Sequence, residues 1–325
     1  MKGLVASFSC LVALSSLLLA PARSDEFPNR PIRLVVPYTT GAFPDTMARL
    51  FGHEMGRLLQ QPFVIDNRQG GFGVVGSDLV ARSAADGYTL LVNDVQLWAV
   101  GPALMKSLPF DAMRDFSPIG ILGTTPLFLA MSANLPVEAN LRELIALFKS
   151  SPGKYNYGTP GMGTIHHFAT AALLAEAGVK VTHVPYKGGP ALVQGLATGE
   201  VAIGFQALTT LPAFIQKGSV KVVAVATERR SAALPDVPTF AELGMENMLF
   251  PGSMGLLAPA GTPPAVIERL ATAVAQAAQD GELRRKLATL GILPGGISSA
   301  EMKTMMKADS ERYARVARVA QMEGQ

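Results

Sequence analysis

Two loops rich in glycine and threonine carry the groups that would bind an anion. The candidate ligand-binding residues of the first loop (37–45) are Tyr38, Thr39, Thr40, Gly41 and Asp45. Those of the second loop (157–166) are Gly158, Thr159, Gly163, Thr164 and His166. Glycines let the backbone turn its N–H groups toward a ligand, threonine hydroxyls donate hydrogen bonds, and a following helix N-terminus adds a favourable dipole. Either loop alone is typical of an ordinary capped helix start, but two of them in one chain favour an anion site.

Three further polar residues stand near strand ends and are candidates by position. Asp94 follows one predicted strand, Gln206 directly follows another, and Tyr186 lies in the strand-to-helix loop 184–191. Ligands of open α/β sheets bind beyond the carboxyl ends of strands, so all three are expected near a cleft. Two alternatives stay open: Tyr186 packs inside its own lobe, and His166 starts a helix without facing the cleft as a donor.

The sequence gives no support to catalytic, metal or cofactor chemistry. Segment 251–255 lacks the first glycine of a nucleophile elbow. His166 and His167 are adjacent, so on a helix they diverge by about 100° and do not chelate one ion together. Residues 71–76 fit G-x-G-x-x-G, but the turn before them is longer than the tight turn of a dinucleotide fingerprint. We therefore predict a binding protein without catalytic residues, metal or cofactor, and set an exported hydrolase aside.

Alternating strand and helix patterns must position these loops. The buried strands predicted in the first half are 32–36, 63–65 and 88–92, and those of a second series are 155–157, 180–184, 201–205 and 221–226. Helical patterns between them predict mostly parallel sheets. The fold class is therefore α/β, with two doubly wound lobes around a hinged cleft. We assign residues 25–125 and 251–325 to the first lobe and residues 126–250 to the second.

The N-terminal segment predicts export. Lys2 precedes an uncharged run over residues 4–20, and small residues follow, which is the layout of a cleavable signal peptide spanning residues 1–24. A retained membrane anchor is the alternative. Cleavage would remove Cys10, the only cysteine, and lower the formal net charge from +3 to +1, since the segment holds Lys2 and Arg23 and no acidic residue. We expect a periplasmic protein whose weak charge attracts no nucleic acid.

Six stretches, in order along the chain, resemble the substrate-binding proteins of tripartite tricarboxylate transporters, the Bug family. They are residues 27–37 (FPNRPIRLVVP), 86–91 (DGYTLL), 108–111 (LPFD), 184–188 (VPYKG), 234–239 (LPDVPT) and 258–263 (APAGTP). The resemblance implies a type 2 periplasmic binding fold that closes on a small organic acid, with residues 38–45 and 158–164 gripping its carboxylate. It also implies a permease of one large and one small membrane subunit as partner. We expect the receptor itself to be a monomer.

The first loop departs from the family pattern. Where the family carries Pro-Gly-Gly-Gly/Ser-Thr-Asp, this chain reads Thr-Gly-Ala-Phe-Pro-Asp at residues 40–45. Pro44 removes a backbone N–H donor, and Phe43 adds an aromatic ring. We infer a cleft more apolar than usual, suited to an aromatic or other monocarboxylic ligand. The alternative is that Phe43 points away from the cleft.

Reversible capture is the function that these residues favour. Hinged closure would bury the ligand and present the closed form to the permease. A sensory receptor of the same fold, which presents its closed form to a membrane sensor kinase, is the second interpretation. A permease gene beside this one would favour transport.

Overall fold

The computed structural model describes residues 27–38, 40–70, 73–94, 96–105, 107–320 and 322. The predicted signal peptide, Thr39 and residues 71–72 of the glycine-rich stretch lie outside the described residues. Within the described part of the chain, no helix is both long enough and apolar enough to cross a membrane.

Strands and helices alternate over most of the chain. In order they are β1 (Ile32–Val36), α1 (Phe43–Leu59), β2 (Phe63–Asn67), α2 (Val74–Ala81), β3 (Thr89–Asp94), a π-helical turn (Gln96–Val100), α3 (Gly101–Leu104), β4 (Phe116–Thr125), β5 (Leu127–Ser132), α4 (Leu141–Ser150), β6 (Asn156–Thr159), α5 (Ile165–Ala177), β7 (Thr182–Pro185), α6 (Gly189–Thr198), β8 (Ile203–Ala207), α7 (Pro212–Gln216), β9 (Val220–Val225), β10 (Gly252–Pro259), α8 (Pro264–Ala277), α9 (Gly281–Thr289), β11 (Leu293–Pro294) and α10 (Ser299–Val319).

The strands form two sheets that share one plan. The first sheet has the order β11-β4-β10-β3-β1-β2, and its strands β1, β2 and β3 are parallel while β10 runs antiparallel to β3 and β4. The second has the order β7-β6-β8-β5-β9, with β6 parallel to β7 and β8, and β5 antiparallel to β8 and β9. Because parallel strands end at one edge, each sheet presents its β–α loops together.

Apolar runs explain why the central strands lie inside. Along β3, Leu90 and Val92 pack into one core and Leu91 into another, on the opposite face, as the two-residue period of a strand requires. All three are fully buried, as expected of a parallel sheet covered by helices on both faces. The predicted α/β class with two doubly wound lobes is confirmed by this arrangement.

The chain passes from the first sheet to the second between Thr125 and Leu127, and it returns between Val225 and Gly252. Helix α10 then packs against β4 of the first sheet and against α5 of the second lobe. Its Tyr313 is fully buried, with ring centroids 5.0 Å from Phe168 of α5 and 5.6 Å from Phe250. The C-terminal helix therefore ties the two lobes together on one side, while the lobe boundaries proposed above stay a prediction.

Several element boundaries differ from those predicted. Helix α1 begins at Phe43 instead of residue 46, because Pro44 sits in its first turn, where a missing N–H leaves no hydrogen bond unmade. The π-helical turn after β3 and the short strand β11 were not predicted. The first shift matters for the site, since Asp45 now belongs to a helix start instead of a loop.

Candidate functional site

The candidate residues gather at the carboxyl edges of the two sheets. Tyr38 follows β1 and Asp94 ends β3, and these strands are neighbours in the first sheet. In the second sheet, Thr159 ends β6, Gln206 lies near the end of β8, and Tyr186 follows β7. The parallel pairing that the sequence predicts is therefore what places these residues side by side.

Asp45 is the centre of the first loop. Its Oδ2 accepts hydrogen bonds from the Gly41 N–H at 2.8 Å and from Arg49 Nε at 2.9 Å, and its Oδ1 accepts from Asn67 Nδ2 at 3.0 Å. Burial opposes the ionised form, but these bonds outweigh it and hold the pKa of the Asp45 carboxyl below its ordinary value. Both oxygens are thus engaged within the protein, which favours a role in shaping the loop.

Tyr38 links the first loop to the end of β3. Its hydroxyl lies 2.8 Å from Asp94 Oδ1 and 3.1 Å from Asn93 Oδ1. Asn93 in turn donates from Nδ2 to Ser77 Oγ at 3.0 Å. Burial, together with the Asp94 carboxylate, raises the pKa of the Tyr38 hydroxyl well above its ordinary value, so this group stays a protonated donor.

The outer part of the first loop is open to solvent. Thr40 is exposed, and its hydroxyl donates to Asn67 Oδ1 at 3.1 Å. Gly41 has a left-handed φ of 82°, and a Cβ at this position would meet no atom within 4 Å. Phe43 is half-buried against the core that α1 forms with the first sheet, and Pro44 is buried in the first turn. Packing therefore occupies much of the Phe43 ring.

Two hydroxyls shape the second loop. Thr159 is buried, and its Oγ1 donates to the Gly161 carbonyl at 3.0 Å. Thr164 donates to the same carbonyl at 2.9 Å. Thr164 is also the N-cap of α5, since its Oγ1 accepts from the His167 N–H at 3.3 Å. The loop is thereby folded back over the start of α5.

Two histidines that the sequence analysis did not assign to the site support this loop. His167 Nδ1 accepts a hydrogen bond from the Gly163 N–H at 3.2 Å, and His183 Nε2 lies 2.7 Å from Thr159 Oγ1. Their rings stack, with centroids 4.2 Å apart and an interplanar angle of 14°. Burial, followed by the charge that His183 can carry, lowers the pKa of His167 to about 4, and burial also lowers the pKa of His183.

His166 has a buried atom that its surroundings leave unsatisfied. It stands in the first turn of α5, and its Nδ1 has no hydrogen-bond partner among the described residues. Burial lowers the pKa of His166 to about 4, so the ring is neutral near pH 7. A buried polar atom without a partner costs about 1–3 kcal/mol, which a ligand or a water that reaches it can recover.

Tyr186, Gln206 and Gly158 lie around α6. Gln206 Nε2 donates to the Gly189 carbonyl at 2.8 Å, in the first turn of that helix. A Cβ at Gly195 would stand 2.3 Å from the Tyr186 hydroxyl oxygen, and a Cβ at Gly158 would stand 2.2 Å from Leu192 Cδ1. Tyr186 thus reaches toward the carboxyl-terminal half of α6, away from the helix start, and its position favours packing within the second lobe.

The second loop also contacts the first lobe. A Cβ at Gly163, whose φ is +66°, would lie 2.8 Å from Leu104 Cδ1 at the end of α3. On another side, a Cβ at Gly291 would lie 3.3 Å from the Leu208 side chain, so these residues also meet between the lobes. At each of these two contacts, a leucine of one lobe therefore touches a glycine of the other lobe.

Metal binding finds no support in the geometry. Among the described residues, no three His, Cys, Asp or Glu side chains are grouped so that they could hold an ion. The predicted residues instead form two separate networks, Tyr38 with Asp94 and Gly41 with Asp45 in the first lobe, and Thr159, Gly163 and Thr164 in the second.

Comparisons with known proteins agree with this architecture. The chain matches the family model of the tripartite tricarboxylate transporter family receptor over residues 47–322. It is 33% identical over 320 residues to the protein BugT of Bordetella pertussis, covering 98% of this chain and 97% of BugT. The adipate-bound structure of Rpa4515 from R. palustris covers 91% of this chain and 99% of its own, with 31% identity and a TM-score of 0.78.

A second solved structure gives the same result. The malate-bound protein MatC of Rhodopseudomonas palustris covers 89% of this chain and 99% of its own, with 29% identity and a TM-score of 0.75. The resemblance found in the sequence and the periplasmic binding protein fold that it implied are both confirmed.

Proposed function

We propose that this chain, which belongs to the tripartite tricarboxylate transporter family of receptors, captures a small organic carboxylate between its two lobes and delivers it to a permease of one large and one small subunit. The family and the fold make it a periplasmic solute-binding receptor. Three parts of the proposal go beyond the family and the fold. They are that the ligand is a carboxylate, that a permease is the partner, and that the predicted residues form the site.

The observation that carries the proposal is the arrangement of the second loop at the start of α5. Thr164 caps only the His167 N–H, and the first turn of a helix offers no acceptor of its own for the N–H groups of Ile165 and His166. These donors, the helix dipole and the unsatisfied His166 Nδ1 stand together. An anion is the ligand that such a helix start accepts.

The two acidic groups of the first lobe would not strongly repel an anion, because each is already hydrogen-bonded within the protein. The Asp45 carboxylate accepts a hydrogen bond from Arg49, and the Asp94 carboxylate accepts one from the Tyr38 hydroxyl, so each carboxylate has a hydrogen-bond partner. Two structural neighbours, Rpa4515 with adipate and MatC with bound malate, support an acid as the ligand class. Because Pro44 supplies no N–H in the first turn of α1, we retain an aromatic or other monocarboxylic acid as the expected ligand.

We further propose that the chain binds its ligand without transforming it. Ser253, the serine of the segment that partly resembles a nucleophile elbow, lies inside β10 and is buried, with its hydroxyl 3.5 Å from Thr124 Oγ1. His167 and His183 use their ring nitrogens on the loop backbone and on Thr159. A nucleophile, a base and an orienting group in contact are thus not assembled among the described residues.

Calorimetric titration tests the ligand class. Benzoate, adipate and malate are each titrated into the purified protein beside the matching amide, which keeps the carbon skeleton and removes the charge. We expect at least one acid to bind and its amide to bind about a hundredfold more weakly, because hydrogen bonds to a charged group contribute about 1.5–3 kcal/mol. Equal affinity for an acid and its amide, or binding of amides alone, would contradict carboxylate recognition.

A further inference from the structure

We propose that His167 and His183 are positioning residues that hold residues 161–164 in the ligand-binding conformation, and that they do so as neutral imidazoles. This inference rests on the proposed function, since it assigns a role in the same binding loop. The established family membership does not assign these two histidines, and neither stands where a ligand atom must contact it.

The first observation is the position of His167 in α5. It is the third residue of the helix, and its Nδ1 accepts from the N–H of Gly163, four residues earlier, while its own N–H donates to Thr164 Oγ1. A capping box has the same reciprocal form, as Ser298 and Glu301 show at the start of α10. In α5 the side-chain acceptor, His167 Nδ1, binds the N–H of the residue before the N-cap instead of the N–H of the N-cap itself. It therefore fixes the orientation of the Gly163 peptide.

The second observation concerns His183 and Thr159. The Thr159 hydroxyl has one hydrogen, which it donates to the Gly161 carbonyl at 3.0 Å. His183 Nε2 lies 2.7 Å from the same oxygen, and in the tautomer that carries the proton on Nε2 it donates to that oxygen while Thr159 donates to Gly161. One histidine therefore holds the loop through the Gly163 N–H and the other holds it through the Gly161 carbonyl.

The third observation is the packing of the two rings. They stack at 4.2 Å, and Tyr157 of β6 stacks on His183 at 4.8 Å. The pairing of β6 with β7 places Tyr157 and His183 opposite each other. Tyr157 is the titratable side chain that packs against the pair, and the described residues give neither histidine a carboxylate, lysine or arginine partner.

Protonation would break this arrangement. A proton on His167 Nδ1 replaces the acceptor of the Gly163 N–H with a second donor, so two N–H groups would face each other. A charge on both rings, 4.2 Å apart in a buried place, would add repulsion. The low pKa of His167, about 4, agrees with a fold that selects the neutral ring. The loop is therefore expected to loosen as the pH falls toward about 4.

Two substitutions of His167 separate positioning from packing. His167→Asn places an amide oxygen near the Nδ1 position, so it can accept from Gly163 and does not titrate. His167→Phe keeps an aromatic ring and has no acceptor. With adipate and benzoate as probes near pH 7.5, we expect affinity within about threefold of wild type for His167→Asn and about tenfold weaker binding for His167→Phe. His183→Gln and His183→Phe are the corresponding pair for Thr159.

Amide hydrogen exchange gives a readout that needs no ligand. In ¹⁵N-glycine-labelled protein, the Gly163 amide is expected to exchange at least about tenfold faster in His167→Phe than in wild type or His167→Asn. Lowering the pH from about 7.5 to about 4 should weaken probe binding more in wild type than in His167→Asn, while protonation of the acid itself affects both proteins equally.

The outcomes separate this inference from the proposed function. If no acid binds the wild type, the proposed function is wrong, and the exchange of Gly163 still tests the histidines. If an acid binds and His167→Phe matches wild type in affinity and exchange, the positioning role is wrong. Equal losses in His167→Asn and His167→Phe, with identical pH profiles, would mean that the ring serves packing alone.

Discussion

The backbone N–H of Gly41 donates to the Asp45 carboxylate, four residues later, at 2.8 Å. The second lobe repeats this relationship, because the Gly163 N–H donates to His167 Nδ1 at 3.2 Å. In both cases a glycine with left-handed φ precedes the N-cap, and the acceptor is the third residue of the helix. Both ligand loops are therefore built by one device, with an ionised acceptor in the first lobe and a neutral, titratable acceptor in the second.

Asp45 is expected to stabilise the first loop. Asp45→Ala leaves the Gly41 N–H without its acceptor, removes one of the two acceptors of Asn67 Nδ2 and breaks the ion pair with Arg49, so we expect a loss of about 2 kcal/mol in the free energy of unfolding. Asp78→Ala is the matched control, because it breaks an exposed pair with Arg82 at the same i,i+4 spacing and should cost less than about 0.5 kcal/mol. Urea unfolding measures the free energy of unfolding of both variants. Equal losses would contradict the proposed role of Asp45 in stabilising the first loop.

The stability of the protein should fall as the pH falls from about 6.5 to about 4. The pKa values of His166 and His167 are lowered to about 4, so in this window the unfolded chain holds protons that the folded chain does not. Stability is then fully present above about pH 6.5, and each such histidine removes up to about 1.4 kcal/mol per pH unit below it.

Urea unfolding at about pH 7, 6 and 5 checks this slope. His167→Asn should reduce it, because one titrating group is removed. A stability that does not change between about pH 7 and pH 5 in the wild type would show that these histidines are not held neutral by the fold.

Gly163 should be required for closure of the lobes. A Cβ at this position would lie 2.8 Å from Leu104 Cδ1 of the first lobe, so Gly163→Ala is expected to weaken ligand binding at least about tenfold. Gly178→Ala is a close control, since Gly178 has a nearly identical φ of +63° and open space around its Cβ. Gly178→Ala therefore introduces the same backbone strain without a contact to Leu104.

Leu104→Ala tests the contact from the other side. In the double variant Gly163→Ala/Leu104→Ala, the shortened side chain makes room, and part of the lost affinity should return. If Gly178→Ala weakens binding as much as Gly163→Ala does, or if the double variant regains nothing, backbone strain alone explains the loss and the inter-lobe contact has no part in it.

The sequence predicted the fold and the two loops because their determinants are local. Apolar runs, helix periods and glycines next to threonines mark the edges of the sheets without knowledge of distant contacts. Asn93 could also have been found, since it is a polar residue in the otherwise apolar strand that precedes Asp94. The resemblance to a family added the type of fold that two α/β lobes alone do not specify.

The support of the loops could not be predicted in the same way. His167 and His183 are 16 positions apart, and only the pairing of β6 with β7 and the packing of α5 bring their rings to 4.2 Å. The role of Asn67 depends likewise on the register between β1 and β2. Tyr186 follows a strand, as predicted, yet its side chain lies along α6, because position in a loop does not fix the direction of a long side chain.

The most direct test of carboxylate capture is thermal unfolding of the protein with and without organic acids. An acid at about 100 times its dissociation constant should add about 2.7 kcal/mol to the free energy of unfolding and raise the Tm clearly. Thr164→Ala should lower the Tm and also reduce the rise caused by the acid. Ser298→Ala removes a comparable N-cap hydrogen bond, at the start of α10, and should lower the Tm while leaving that rise intact. If no carboxylate raises the Tm of the wild type, or if Thr164→Ala and Ser298→Ala respond to the acid alike, the account of this loop as a carboxylate site is contradicted.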